Sequence, residues 1–236
     1  MSVSGAETVA ERVRLVQDSI RRAEVRAGRP PGAVRLVAVT KSVPVERMQE
    51  GIDAGLSLLG ENRLQEAQAK MSALSQAPVR WHFIGHLQRR KVRSMLNRFD
   101  LIHSVDSVEL AQEIDRRAGD AGLCQDILLE VNIGEESTKS GFQPDALAGL
   151  MPAMALLSHV RIRGLMAIPP PTAEAEQARP HFRRLHDLAC QIGDLQLPSV
   201  AMADLSMGMS NDYEVAIEEG ATLVRVGTAL FGIRPG

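Results

Sequence analysis

Aromatic side chains are scarce in this 236-residue chain: one Trp, one Tyr and five Phe make up 3% of it. The core must therefore be aliphatic, and with 44% hydrophobic and 24% charged residues the chain reads as a soluble globular protein rather than a disordered one. Cysteine is equally sparse. Cys124 and Cys190 lie far apart without CxxC spacing, which argues against zinc, iron–sulfur or thioredoxin-like chemistry; both are expected to be buried reduced thiols. There is no basic excess either. A formal net charge of -2 gives no support for nucleic-acid binding, the run "QRRKVR" at 88–93 being the one basic stretch. Long apolar runs are missing too. "MSVSGAETVAERVRLVQ" lacks a signal-peptide core and no segment approaches bilayer length, so no membrane partner is expected and the cytoplasm is the expected compartment.

What the chain does contain is alternation. Apolar positions at helical spacing predict an amphipathic helix over about 6–27, ended by "GRPPG". Eight short β-branched runs follow, at 35–40, 56–60, 80–85, 101–105, 126–133, 161–168, 198–206 and 222–227. Helical patterns fill the gaps, near 44–54, 61–76, 87–97, 107–120, 144–158, 174–193 and 212–219, and a short one can follow the last strand. Strands alternating with helices give an α/β chain with a parallel sheet, and eight such units close into a single TIM (β/α)8 barrel with one extra N-terminal helix. The reading is one domain over 1–236, with the barrel at about 34–234. A doubly wound open sheet is the alternative. "VTKSVPVE" is not the glycine-rich turn which that fold usually carries after its first strand.

Barrels of this kind do their chemistry at the C-terminal ends of the strands. Lys41, closing "LVAVT", is a candidate amine nucleophile, since a desolvated lysine forms Schiff bases with carbonyls; an ordinary strand-end lysine reaching solvent is the alternative. "LSMGMSND" and "RVGTALFG" are the loops after strands seven and eight, where barrels often bind phosphate. Ser210, Gly227 and Thr228 are the candidate donors there, with simple helix capping as the competing role. Arg225 lies inside an apolar run and needs an acceptor: Glu61, Asp106 or a ligand ring nitrogen. His82 and His103 fall inside strands and are expected to be structural. His86 sits at the third strand's mouth and Lys139 in the loop after the fifth; neither has an assignable proton or ligand. Phosphate donors, a Schiff-base lysine and an arginine facing a pyridine nitrogen together describe a pyridoxal 5'-phosphate site.

The segments "AVTKSVP", "GENRLQEA", "WHFIGHLQRRK", "GLMAI" and "LSMGMSNDYEVAIEEGATLVRVGTALFG" resemble the YggS/PROSC family of pyridoxal-phosphate-binding homeostasis proteins over nearly the whole chain from Leu36 onward. The resemblance implies an alanine-racemase-like barrel that binds the cofactor as a Schiff base on Lys41. It also implies Asn62 near the cofactor face, Ser210, Gly227 and Thr228 at the phosphate, and Arg225 at the ring. Arg90 stands where the family often has asparagine. The implied role is intracellular vitamin B6 and amino-acid homeostasis without an established reaction, with apo enzymes that use the cofactor as possible recipients. Racemases of this barrel type add a second domain and a catalytic tyrosine from a partner subunit. Here the sequence ends just past the eighth strand and its one tyrosine, Tyr213, adjoins the phosphate-side loop, so a carrier, as a monomer, is expected. A weak racemase or a cofactor-free class I aldolase remains the competing reading.

Overall fold

Each strand is followed by a helix that carries the chain back to the same edge, and this is how successive parallel strands must be joined. β1 (Arg35–Val39), β2 (Leu58–Glu61), β3 (Arg80–Phe83), β4 (Leu101–Val105), β5 (Gln125–Val131), β6 (Val160–Ala167), β7 (Val200–Ser206) and β8 (Leu223–Val226) pair in chain order, and β8 pairs back onto β1. The sheet is a closed TIM-type barrel and not the doubly wound alternative. The computed structural model describes residues 7–136 and 138–232. Residue 6 of the expected helix and the last two residues of the expected barrel lie outside them.

The helices are α1 (Val9–Arg26), α2 (Val45–Asp53), α3 (Leu64–Ala73), α4 (Val92–Met95), α5 (Val108–Asp120), α6 (Pro144–Met154), α7 (Arg179–Gly193), α8 (Tyr213–Glu218) and α9 (Thr228–Phe231). α1 starts at a capping box between Thr8 and Glu11 and buries Val9, Val13, Val16, Ile20 and Ala23. It packs on α2, α8 and α9. Because α9 is a single turn, α1 supplies the outer cover that a full eighth helix would give. Arg26 fastens it to Glu214 and Glu218, and Arg29 donates to the carbonyls of Ile217 and Ala221.

Two apolar clusters hold the layers. The larger lies between strands and helices; the smaller, Val37, Leu58, Leu101, Leu128, Met166 and Leu223, fills the barrel. Strand side chains alternate with period two, so the next inward position above each of these is set by the sequence. Those positions include Val39, Gly60, His103, Glu130 and Arg225, an unusually polar layer.

Two expectations are corrected. The helix expected over 87–97 is a 3-10 turn at Arg89–Lys91 followed by the single turn of α4, with Leu96 leaving helical geometry at ψ 142; Arg89, Arg90, Lys91 and Arg93 repel one another at helical spacing. Both cysteines are exposed rather than buried. In α7 the inward stripe is Leu185, Leu188, Ala189 and Ile192, which leaves Cys190 on the outer face. Among the described residues no helix is long and apolar enough to cross a membrane, and no group of three or more metal-binding side chains occurs.

The pairings of β6 with β5 and β7 shift register near Gly164, where an added Cβ would lie 1.8 Å from the carbonyl oxygen of Asp204. Gly164→Ala is expected to lower the unfolding free energy by about 3 kcal/mol. Gly149→Ala, on α6 with nothing within 4 Å of the new methyl, is expected to raise it by about 0.5–1 kcal/mol. Urea unfolding of both variants checks the pair.

Candidate cofactor site at the barrel mouth

β1 ends at Val39, and Lys41 follows in a tight turn. The Val43 N–H donates to the Thr40 carbonyl at 2.9 Å, which places Lys41 and Ser42 at the two central positions. Ser42 has φ 58, the positive value that a type II turn requires and glycine usually fills. A side chain there costs about 1–3 kcal/mol and persists only where the surroundings impose it. Lys41 is exposed, so of the two sequence readings the solvent-reaching one describes its burial. The period that puts Val37 and Val39 inside brings Lys41 to the inner rim of the mouth.

Two strands away around the closed barrel, past β8, the loop from β7 to α8 folds around Gly208, whose φ is 88 and whose missing Cβ would meet that of Ala216 at 2.6 Å. The Gly208 carbonyl accepts from the Arg225 N–H at 3.0 Å, and the Asp212 carboxylate accepts from the Met209 N–H at 2.6 Å. These bonds place Ser210 against the other loop. Its Oγ accepts from the N–H groups of Gly227 and Ala229, both at 3.3 Å. Ser210 thus caps α9 and not the α8 it precedes, and a hydroxyl and two amides from separate loops converge on one spot. Thr228, the first residue of α9, is exposed beside them. Gly227 has φ -124, so its conformation alone does not demand glycine. Tyr213 is buried beneath Gly208.

Arg225 lies below, at 4% exposure. It forms neither ion pair weighed from sequence: Glu61 is bonded to Lys70, and Asp106 lies 3.4 Å from His86 Nδ1. Instead its guanidinium donates to Ser206 Oγ at 2.5 Å and to the Ala167 carbonyl at 2.9 Å. Ser206 Oγ is 2.8 Å from His103 Nδ1, and His103 Nε2 is 2.8 Å from His82 Nδ1. An arginine can only donate, so the serine hydroxyl is free to donate onward to His103, which fixes the ring tautomers in series. The chain ends at His82 Nε2, which is buried without a partner. Burial and the nearby cations hold both imidazoles neutral, His82 at about 3 and His103 well below its usual range. Burial lowers Arg225 to about 10 against the pull of Glu130 and Asp212, so it stays charged at neutral pH.

Asn62 sits just above Glu61 with its Oδ1 buried and unpartnered. His86 is exposed; Lys139 pairs with Glu136 at 2.5 Å, and Arg90 donates to Gln88 at 3.0 Å. None of these three joins the polar layer through a hydrogen bond. Sequence reasoning passed over Glu130, half-buried on β5, whose carboxyl is pushed up to about 7 by burial and by Asp106. The signal was available: Glu130 is the inward position two residues after Leu128, as Arg225 is two after Leu223.

The fold and these residues define a class. Residues 16–235 match the model of the alanine racemase N-terminal domain. Curated relatives carry a more particular name: the pyridoxal phosphate homeostasis protein of Aquifex aeolicus is 46% identical over 225 residues, covering 95% of this chain and 97% of the relative. That of Escherichia coli is 39% identical over 230 residues, covering 96% and 97%. The chain belongs to the family of pyridoxal phosphate homeostasis proteins, within the alanine racemase N-terminal domain group. Among solved structures, PipY of Synechococcus elongatus with pyridoxal phosphate bound is 40% identical, with a TM-score of 0.78 over 91% of this chain and 99% of that one. An alanine racemase of Clostridium difficile shares the fold alone, at 14% identity and a TM-score of 0.69 over 95% of this chain and 56% of its own.

The buried layer should be visible in the pH dependence of stability. Both histidines take up protons near 6.5 when unfolded and far lower when folded, so their contribution is complete above pH 6.5 and is lost as pH falls toward 3. Glu130 acts oppositely: its folded value of about 7 exceeds the unfolded one, so its contribution is complete in acid and lost as pH rises through 7. Between pH 5 and 6 His103→Gln is expected to flatten the stability curve, and Glu130→Gln to steepen it, each by up to about 1.4 kcal/mol per pH unit. Denaturant unfolding across that range measures both slopes.

Proposed function

We propose that this chain binds pyridoxal 5'-phosphate covalently through Lys41 and serves in the cell's supply and buffering of that cofactor and, through it, in amino-acid homeostasis. The observation that carries the reading is the meeting of three chemistries at one barrel mouth. A primary amine stands at the end of β1, two loops meet where the Ser210 hydroxyl accepts from two amides, and a buried guanidinium lies below. A phosphate ester suits the donors Ser210, Gly227, Thr228 and Ala229. An aldehyde suits the Lys41 amine, whose condensation joins nitrogen to carbon and releases one water. Arg225 would face the ring nitrogen. The orphaned Asn62 Oδ1 is an acceptor waiting for a donor, which a ring hydroxyl would supply. The family name and the ligand-bound PipY relative favour the same assignment.

When bound, the cofactor supplies an electrophilic carbonyl and an electron-accepting ring. Holding it is better supported than using it. A permanent cation at the ring nitrogen disfavours protonation there and weakens the ring as an electron sink. Tyr213, the one tyrosine, is packed under Gly208. The exposed Lys41 leaves the bound aldehyde reachable by amines, as handing it to apo enzymes in the cytoplasm would require. Large exposed apolar side chains are spread over α1, α6 and loops after α6, α7, β6 and β7 rather than gathered in one patch, which favours a monomer.

Titrating the protein with pyridoxal 5'-phosphate is expected to give a yellow chromophore that borohydride fixes to Lys41, and Lys41→Ala is expected to lose it. Retention of the same reducible adduct by the variant would overturn the assignment. Ser210→Ala with Thr228→Ala should weaken pyridoxal 5'-phosphate by about a hundredfold or more, the loss of two hydrogen bonds to a charged group, while leaving pyridoxal, which lacks the phosphate, little changed. Racemisation of an amino acid at a useful rate would replace the carrier by an enzyme, and adduct formation only with other carbonyl compounds would favour an aldolase.

A further inference from the structure

Lys70 is a lysine where a lysine is costly. It faces inward from α3 at 6% exposure, beside Leu64 and Ala67 on the same buried stripe. A buried ammonium needs an acceptor for each of its three N–H bonds. This one has the Thr40 carbonyl at 2.6 Å, Glu61 Oε1 at 2.7 Å and Glu66 Oε1 at 2.6 Å. The Thr40 hydroxyl also donates to Glu61 Oε1 at 2.7 Å, and the Ser42 N–H donates to Glu66 Oε1 at 2.5 Å.

Where these bonds end is informative. The Thr40 carbonyl and the Ser42 N–H belong to the two peptide groups on either side of the Lys41 Cα. Lys70 grips the first directly and the second through Glu66. Fastening α3 to β2 would account for the bond to Glu61. It does not account for two further arms closing on the peptide groups that flank a single residue, in a turn whose Ser42 is held at φ 58.

The geometry points to Lys70 as a positioning residue for Lys41: with Glu61 and Glu66 it locks the turn so that the Lys41 amine is presented at one place on the barrel rim. The inference rests on the covalent role proposed for Lys41. The physical need is plain. Lys41 is exposed and its side chain is long and flexible, so bonding along its length would hide the amine from the aldehyde and from exchange. Fixing its Cα and both adjoining peptide planes limits the amine's reach without covering it, and attack on a carbonyl depends steeply on such placement.

The test uses the full chain with two variants. Lys70→Met/Glu61→Gln removes the ammonium without leaving its buried carboxylate partner charged; Glu66→Ala, at a position a quarter exposed, cuts the arm to Ser42 and with it one of the ammonium's three acceptors, leaving those to Thr40 and Glu61. Without cofactor, hydrogen exchange at the Ser42 and Val43 amides is expected to quicken at least tenfold in both, while thermal unfolding confirms a folded chain. With cofactor, formation of the reducible Lys41 adduct is expected to slow at least tenfold. Affinity for pyridoxamine 5'-phosphate, which carries the phosphate and ring but no aldehyde, should stay within twofold. Adduct formation at the wild-type rate in folded Glu66→Ala would overturn the proposal, and so would a parallel loss of pyridoxamine 5'-phosphate affinity, which marks a general structural role. Should the double variant fail to fold, Glu66→Ala decides alone. A wild-type chain that forms no adduct on Lys41 would instead refute the covalent reading, leaving the exchange measurement to judge the clamp.

Discussion

A guanidinium enclosed by aliphatic side chains must be solvated by protein, and the interior of this barrel is arranged around that requirement. Arg225 is one strand position above Val224 and directly above the Leu223 level of the inner cluster. Water cannot reach it, so hydrogen-bond acceptors must. The Ala167 carbonyl and Ser206 take its protons, and Glu130 and Asp212 supply compensating field. The two histidines are consequences of this. Burial in the same dry layer keeps His103 and His82 neutral, with the field of Arg225 adding to it at His103, and they act as hydrogen-bonding spacers between β7 and β3. Ser206 converts the donor on one side into a donor on the other.

Strand period explains how far this was legible in the sequence. The eight strands, their order and the special standing of Lys41, Ser210 and Arg225 follow from local runs, because period two and the β–α rhythm are local properties. The partners of those residues do not. Arg225 meets Ser206 on the neighbouring β7 and Ala167 on β6, and which polar side chain faces it depends on the register shifts of β6, which the one-dimensional pattern does not carry. Ser210 could be placed at a helix start but not assigned to the neighbouring helix, since that depends on how two loops stack. Lys70 was missed for a further reason. On α3 it reads as one more charged residue at an i, i+4 spacing from Glu66, and only the packing of α3 on β2 turns that pair inward. Cys190 fails in the opposite sense: residue type suggested burial, and helical phase overruled it.

Under the covalent role proposed for Lys41, the mouth above this layer faces two demands that oppose each other. A residue that captures and later releases an aldehyde must remain open to other amines, yet a mobile amine meets its target in the right orientation too rarely. Enzymes commonly resolve this by enclosing the nucleophile. Here Lys41 stays exposed, and order is imposed on the backbone instead, through a turn with an unfavourable φ at Ser42 that local preferences alone would not select.

That division of labour also sorts the charges. Lys70 and Arg225 are both buried cations, in different surroundings: Lys70 is matched by two carboxylates within ion-pair distance, whereas Arg225 has neutral hydrogen-bond acceptors and only a more distant field from Glu130 and Asp212. The first arrangement suits a fastener, since its charge is consumed locally. The second leaves positive potential directed at the mouth, where a group with electron-rich oxygen or ring nitrogen would meet it. Well-packed aliphatic side chains of similar volume often match a buried ion pair in stability, so two buried cations, one matched and one not, fit the ligand-holding role proposed for the mouth.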